Sequence, residues 1–146
     1  MILFFTQNIS YKIQQKRFYK QWIKDIAKQH NVSNGDINII FCSADDLLNI
    51  NKRFLNHDYH TDVITFDYSD LTSKRIIAGD IYIGIETVRT NAKVYGASSF
   101  EQELRRVIAH GIFHLLGFSD KTPEDQAYMR NLEEVAIKRF DEMCVQ

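Results

Sequence analysis

Residues 110–120, with the sequence HGIFHLLGFSD, place two histidines, a glycine and an aspartate at short, regular spacings. His110 and His114 lie four residues apart, and side chains at that spacing share one face of an α-helix. Gly117 is suited to end the helix, because glycine readily adopts the left-handed conformation that turns the chain back. This return would bring Asp120 toward the two imidazole rings. The segment therefore predicts a metal site with His110, His114 and Asp120 as ligands.

The number of ligands indicates what kind of metal site this is. Three protein ligands with one position left for water are typical of a catalytic zinc site, whereas a structural zinc site normally has four. Two histidines on a helix are weak evidence alone, since such pairs are more often ordinary surface or core residues. The added glycine and acid, on a helix that is otherwise apolar around the histidines, favour metal binding. The leading hypothesis is a metal-dependent hydrolase.

The spacing is that of the metzincin pattern HExxHxxGxxH, in which the glutamate after the first histidine is the general base. Here that position is Gly111, which cannot transfer a proton. A peptidase of that class is therefore disfavoured. The remaining chemistry is attack by a metal-bound water, acidified toward a pKa of about 7, on a polarised electrophile such as a phosphodiester.

Length and composition fit a single soluble globular domain spanning residues 1–146. With 45% hydrophobic residues, 25% charged residues and one proline, disorder is not expected. The net charge is -1, so attraction to a polyanion would require a local basic patch. Cys42 and Cys144 form no CxxC unit, which indicates a reducing compartment. Since neither a signal peptide nor an apolar run of about 20 residues is found, we expect a cytoplasmic protein.

The order of sequence patterns predicts an α+β fold, with a small, mostly antiparallel or mixed sheet of about four strands packed with about five helices. Strands are expected over residues 2–5, 37–42, 63–68 and 76–85, with a turn at Asn34-Gly35. Helices are expected over residues 11–29, 43–54, 86–95, 98–116 and 122–143. The fourth of these helices carries both histidines, as the metal-binding helix of zincins does.

The same segment resembles the hallmark HGxLHLxGYDH of the YbeY family of bacterial metal-dependent endoribonucleases, with a match from His110 to Phe118. Residues 61–66, TDVITF, are similar to the family's PTDVLSF strand, and residues 79–83, GDIYI, to its GDIxI strand. The order of elements is similar over nearly the full length. The resemblance implies cleavage of single-stranded RNA in rRNA maturation and ribosome quality control, with one zinc ion per chain. It also implies the small ribosomal subunit as a partner, with no DNA or membrane partner.

The chain departs from the family pattern at two positions. Asp120 aligns with the family's third histidine; a carboxylate is an acceptable zinc ligand, but its charge should make bound water less acidic. Leu55 stands where the family usually has an arginine, which is suited to holding phosphate. We expect His57 or His60 to take over part of the phosphate-binding or proton-transfer role, because histidine titrates near neutral pH. The alternative is that both are solvated loop residues.

Three further sets of charged residues each have two interpretations. A stripe of lysines along the first helix could follow an RNA backbone or form a solvated face; it consists of Lys12, Lys16, Lys20, Lys24 and Lys28. Asp62 and Asp80 could each orient a histidine N–H or cap neighbouring backbone. The acids of the last helix are expected to form its solvent-facing side; they are Glu124, Asp125, Glu133, Glu134, Asp141 and Glu142.

Two other functions stay open on the sequence alone. One is a metal hydrolase of another ester or amide. The other is a ribosome-assembly factor that binds without catalysis and whose metal is structural. The chemistry of residues 110–120 indicates a metal hydrolase, whereas RNA as the substrate follows from the family resemblance.

Overall fold

A computed structural model describes residues 1–145, which form a four-stranded sheet and five α-helices. The strands are β1 (Ile2–Gln7), β2 (Ser33–Cys42), β3 (Val63–Asp67) and β4 (Ile76–Gly84). The helices are α1 (Lys16–Gln29), α2 (Ala44–Leu55), α3 (Ile85–Val94), α4 (Phe100–Leu115) and α5 (Pro123–Cys144). The predicted α+β class is confirmed. None of the helices in the described chain has both the length and the apolar character needed to cross a membrane.

The sheet is mixed, with strand order β1-β2-β4-β3. β2 pairs in parallel with both β1 and β4, and only the pairing of β3 with β4 is antiparallel. The sheet is thus of the mixed kind that the sequence allowed, but parallel pairings predominate. β3 is an edge strand, which leaves one side of its backbone open next to the segment that follows α4.

The sheet lies between α2 on one face and α1, α4 and α5 on the other. Side chains along each strand alternate between the two faces, so apolar residues of the strands pack against helices on both sides. Ile39 and Ile81 are fully buried in the main core with residues of those three helices. Cys42, Leu47 and Ile64 form a smaller cluster beneath α2. The α4 helix therefore packs directly on the strands that border the predicted metal site.

The first helix begins later than predicted. It starts at Lys16 rather than Tyr11, because Gln15 has a left-handed backbone with φ 56°. The residues before it turn inward, and Tyr11 packs edge-on against Phe41 with ring centroids 5.1 Å apart. Apolar contact with the sheet thus prevails over the helical periodicity of this segment.

The expected turn at Asn34-Gly35 is wrong. Both residues lie inside β2, which extends from Ser33 to Cys42. The pairing of β2 with β4 shifts register between Asn34 and Ile37, so the polar pair is accommodated as an irregularity of the strand. Glycine composition alone does not distinguish such a bulge from a turn.

The predicted starts of α2, α4 and α5 are confirmed by hydrogen bonds in their first turns. The side-chain oxygens of Ser43, Ser99 and Thr122 accept from the backbone N–H three residues further on, at 3.1, 3.1 and 3.0 Å. Such caps satisfy N–H groups that have no partner within the helix. The cap at Ser99 fixes where α4 begins and hence the orientation of its histidine face.

Candidate metal centre

The histidine helix lies unusually close to the sheet at one position. A Cβ atom added at Gly111 would lie 2.9 Å from both Cδ1 and Cγ2 of Ile81. This spacing is too short for an unstrained contact, so a larger residue would push α4 away from β4. Gly111 therefore has a packing role, in addition to leaving the site without the glutamate base of metzincins.

The chain reverses directly after α4, as the glycine predicts. Gly117 has φ 95°, a conformation that other residues rarely adopt. The Phe118 N–H donates to the Phe113 carbonyl oxygen at 3.0 Å, and the Gly117 N–H donates to the His114 carbonyl oxygen at 3.0 Å. These bonds satisfy the last carbonyl groups of the helix and direct the following residues back toward its histidine face.

The reversal brings the three predicted ligands together. His110 Nε2 lies 2.9 Å from His114 Nε2, and Asp120 Oδ2 lies 3.2 Å from the first and 3.4 Å from the second. Ligand atoms placed 2.0–2.1 Å from one zinc ion in tetrahedral geometry would be about 3.3 Å apart. The donor set and its spacing therefore fit a zinc-sized ion with His110, His114 and Asp120 as ligands.

The other nitrogen of each imidazole ring is held by the protein. His110 Nδ1 lies 2.7 Å from Glu133 Oε2, and His114 Nδ1 lies 3.0 Å from the Phe118 carbonyl oxygen. Both oxygens accept, so each Nδ1 carries the proton and donates. Each Nε2 then has a free lone pair directed at the common point, which is the tautomer that a metal requires.

The acidic partner of His110 is not the one that the sequence suggested. Glu133 was expected on the solvent-facing side of α5, but it is only 5% exposed and contacts the histidine. Asp80 accepts instead from Asn38 Nδ2 at 3.0 Å. Asp62 faces the centre, but within residues 1–145 no hydrogen bond joins it to either imidazole.

An arginine links this carboxylate to others around the centre. Arg106 Nη1 lies 3.4 Å from Glu133 Oε1, its Nη2 lies 2.7 Å from Glu134 Oε1, and its Nε lies 3.6 Å from Glu103 Oε1. Burial raises the pKa of Glu103, although the positive charge of Arg106 acts in the opposite direction. The arginine thereby balances two buried carboxylates and leaves Glu133 able to accept from His110.

Two pKa shifts describe the electrostatics of the site. Burial by itself lowers the pKa of His110, but the hydrogen bond and charge of Glu133, with the charges of Asp120 and Asp62, raise it overall. Burial raises the pKa of Asp62, and the proximity of His110 only partly offsets this effect. The centre thus combines an imidazole in a negative environment with a desolvated carboxyl group beside it.

Two clefts open on the centre. The β3 cleft has a volume of about 540 Å³ and runs along the edge strand; its lining includes Leu55, Thr61, Thr65 and all three candidate ligands. The α3 cleft, of about 300 Å³, lies on the other side of His110 and Asp120, between α3 and α5. Asp62 borders both clefts. A ligand chain could therefore reach the centre from either side.

The structure does not bring His57 and His60 into these clefts. Both are exposed in the loop between α2 and β3, and neither lines either opening. His57 Nδ1 lies 2.9 Å from the Tyr59 hydroxyl, and the two rings stack with centroids 5.0 Å apart. Leu55, by contrast, borders the β3 cleft, so the position where the family usually has arginine does face the centre.

The fold and the site define a protein in which an HxxxH helix and the turn that follows it bring together three side chains that could hold a metal ion. The model of the family described as "Endoribonuclease YbeY" matches residues 3–141. The chain therefore belongs to the YbeY family of endoribonucleases, and the resemblance of residues 110–118 is confirmed.

Similar proteins support this assignment over almost the whole chain. "Endoribonuclease YbeY" of Parabacteroides distasonis is 39% identical over 143 residues, covering 98% of each chain. That of Flavobacterium psychrophilum is 44% identical over 136 residues, covering 93% of this chain and 94% of its own. The solution structure of TM1509 from Thermotoga maritima has a TM-score of 0.63 at 26% identity, covering 97% of this chain and 93% of that one.

Proposed function

We propose that this protein is a zinc-dependent endoribonuclease that hydrolyses single-stranded RNA during rRNA maturation and ribosome quality control. Membership of the YbeY family supports cleavage of RNA. The observation that carries the metal chemistry is the convergence of three ligand atoms, with both remaining imidazole nitrogens already bonded to protein oxygens. We further propose that the protein acts in the cytoplasm on the rRNA of the small ribosomal subunit.

Each residue at the centre has a distinct task in this proposal. His110, His114 and Asp120 would hold one zinc ion, which when bound would polarise a phosphodiester and lower the pKa of water, though less far than a site with three neutral imidazoles. Glu133 and the Phe118 carbonyl keep the two imidazoles oriented. An RNA strand lying in the β3 cleft would pass all three of these side chains.

A direct test compares cleavage of end-labelled single-stranded RNA by the zinc-loaded protein, its chelated form and the His114→Ala variant. We expect cleavage by the loaded parent protein alone, and a loss of at least about a hundredfold in the variant, because zinc binding and its chemistry are lost together. Asp45→Asn is a suitable control, since Asp45 is exposed and lines neither cleft.

Zinc content, measured by mass spectrometry on the same samples, should be one ion per chain in the parent and much lower in His114→Ala. Cleavage by His114→Ala at the parent rate would overturn the proposal. A double-stranded RNA of the same sequence should be cut much more slowly, which tests the preference for single strands.

A further inference from the structure

A third cleft lies away from the metal centre and shares no residue with the two clefts described above. Its volume is about 560 Å³, and it lies between the segment before α1, the middle of α3 and the start of α4. We name it the cationic cleft; the residues that characterise it are Tyr11, Lys12, Arg89, Lys93, Phe100 and Arg105. Nothing in the metal chemistry accounts for it.

The charges of this cleft are largely uncompensated. It is lined by four cationic side chains and by one carboxylate, that of Glu101. In residues 1–145, no carboxylate oxygen lies within 4.0 Å of Lys12, Arg89 or Lys93. Arg105 is partly engaged: it makes one long ion pair of 3.9 Å, and its guanidinium lies 4.0 Å from the centroid of the Phe140 ring. Its buried Nε has no hydrogen-bond partner in the described chain. In a protein of net charge -1, such a concentration of positive charge favours an anionic ligand.

Aromatic rings lie among these cations. Tyr11 and Phe100 meet edge to face, with centroids 5.8 Å apart, and the Arg89 guanidinium lies 4.9 Å above the Phe100 ring. Burial raises the pKa of Tyr11 to about 12, so its hydroxyl stays protonated and able to donate at neutral pH. Cations beside partly exposed rings are the combination that binds the phosphate and base of a nucleotide in single-stranded nucleic acid.

The cleft is well placed to assist the metal centre. Arg89 and Lys93 of α3 face the cationic cleft, whereas Asn91 and the exposed Tyr95 border the α3 cleft beside His110. The two clefts therefore lie on two sides of the same helix. Among the described residues, no lysine or arginine lines the β3 cleft. The α3 cleft has Arg106 and Arg130, but both already pair with carboxylates, Arg106 with Glu133 and Glu134 and Arg130 with Glu134, so the cations nearest the metal centre are largely neutralised.

We propose that the cationic cleft binds a nucleotide of the single-stranded RNA away from the scissile bond, and so anchors the substrate across α3. The inference rests on the proposed function, because RNA is taken as the substrate. Of the lysine stripe predicted on the first helix, only Lys12 belongs to this cleft, since it precedes the helix. The other four lysines have no part in the proposal.

The test measures binding rather than cleavage. Chelator-treated protein is titrated into a fluorescein-labelled single-stranded RNA of about 15 nucleotides, with anisotropy recorded over a series of salt concentrations. The variant carries Lys12→Gln, Arg89→Gln and Lys93→Gln, all at exposed positions. The control carries Lys24→Gln, Lys28→Gln and Lys138→Gln, which remove the same charge from exposed positions outside the three clefts. Circular dichroism verifies that both remain folded.

We expect the cleft variant to bind RNA roughly tenfold more weakly and to lower the salt slope of log Kd by at least about 0.7, since about 0.7 of a counterion is released per phosphate contact on single strands and one bound nucleotide makes at least one such contact. The control should stay within about twofold of the parent. Equal RNA affinity in cleft and control variants would overturn the proposal. So would polyglutamate binding as tightly as RNA through the same residues, which would indicate an acidic protein partner.

Free uridine monophosphate is included as a competitor, because an isolated nucleotide offers the same phosphate and base. If the cleft substitutions abolish its binding and leave RNA binding unchanged, the cleft takes a free nucleotide and the anchoring proposal fails. The binding assay does not depend on cleavage. If the zinc-loaded parent protein binds RNA through this cleft but does not cut it, the proposed endoribonuclease activity is refuted and the anchoring proposal stands.

Discussion

His110 Nδ1 and Glu133 Oε2 lie 2.7 Å apart, which joins the metal-site helix α4 to the middle of α5 through a buried carboxylate. The bond fixes both the tautomer and the orientation of the ring, so Nε2 presents its lone pair before any ion arrives. A pre-oriented ligand loses less conformational freedom on binding, and a negatively charged acceptor makes the imidazole a stronger donor to a metal.

Glu133→Gln should therefore weaken zinc binding by about 10- to 100-fold while leaving the fold intact, because the amide keeps the shape but not the charge. A competition titration against a coloured chelator measures this affinity. Glu134→Gln is the matched control, since Glu134 also pairs with Arg106 but is more than half exposed and does not contact a histidine. Equal zinc affinity in the two variants would contradict the role assigned to Glu133.

The location of Glu133 could have been predicted from the sequence. The buried residues of α5 are Met129, Glu133, Ala136, Ile137 and Phe140, which follow the spacing of a single helix face. A carboxylate on an apolar stripe requires a partner, and the nearby metal motif offers a histidine. Glu133 was predicted to face solvent because it is acidic like its neighbours in α5. Its spacing from the apolar residues places it instead on the buried face of the helix.

Other parts of the structure had no such signal. The Phe118 carbonyl that holds His114 is backbone, so residue identity carries no information about it. The parallel pairing of β2 with β4 joins segments separated by α2 and β3, and local periodicity does not encode which strands become neighbours. The convergence of His110, His114 and Asp120, the glycine turn and the starts of α2, α4 and α5 were predictable because each depends on residues close together in the sequence.

Gly111→Ala should lower the free energy of unfolding by about 1–3 kcal/mol, because the added methyl group would press on Ile81. Alanine is the better helix former by up to about 1 kcal/mol, so the packing cost must exceed that gain. Urea denaturation measures the difference. Combining the change with Ile81→Val, which removes the Cδ1 contact, should cost less than the sum of the two single changes; a strictly additive result would contradict the contact.

Asp70 should contribute to stability in acid. Hydrogen bonds from Ser73, foremost its backbone N–H, lower the pKa of Asp70 to about 2. Since the folded pKa lies below the unfolded value of about 3.9, the contribution is complete above about pH 5 and is lost as the pH falls through about 2. Asp70→Asn should thus be less stable than the parent at pH 6, with the difference shrinking below pH 4. A difference between the two proteins that stays constant from pH 6 to pH 2 would contradict this role of Asp70.

The prediction for His57 and His60 can be tested separately from metal binding. If either takes part in phosphate binding or proton transfer, its alanine variant should cleave single-stranded RNA several-fold more slowly while zinc content stays at the parent level. Both side chains are exposed and outside the two clefts, so neither change should disturb the fold. Cleavage at the parent rate by both variants would remove the role and leave them as solvated loop residues.

Leu55→Arg should strengthen binding of single-stranded RNA. Leu55 is 41% exposed and borders the β3 cleft together with His110 and His114, so a guanidinium group there can reach a phosphate next to the metal centre. We expect a several-fold lower Kd in chelator-treated protein and a salt slope steeper by about 0.7, the value for one added contact on a single strand. Phe54→Arg adds the same charge one residue earlier, at a position that is 61% exposed and does not line the cleft. An equal gain from both substitutions would show that net charge, rather than the location of Leu55, determines the affinity.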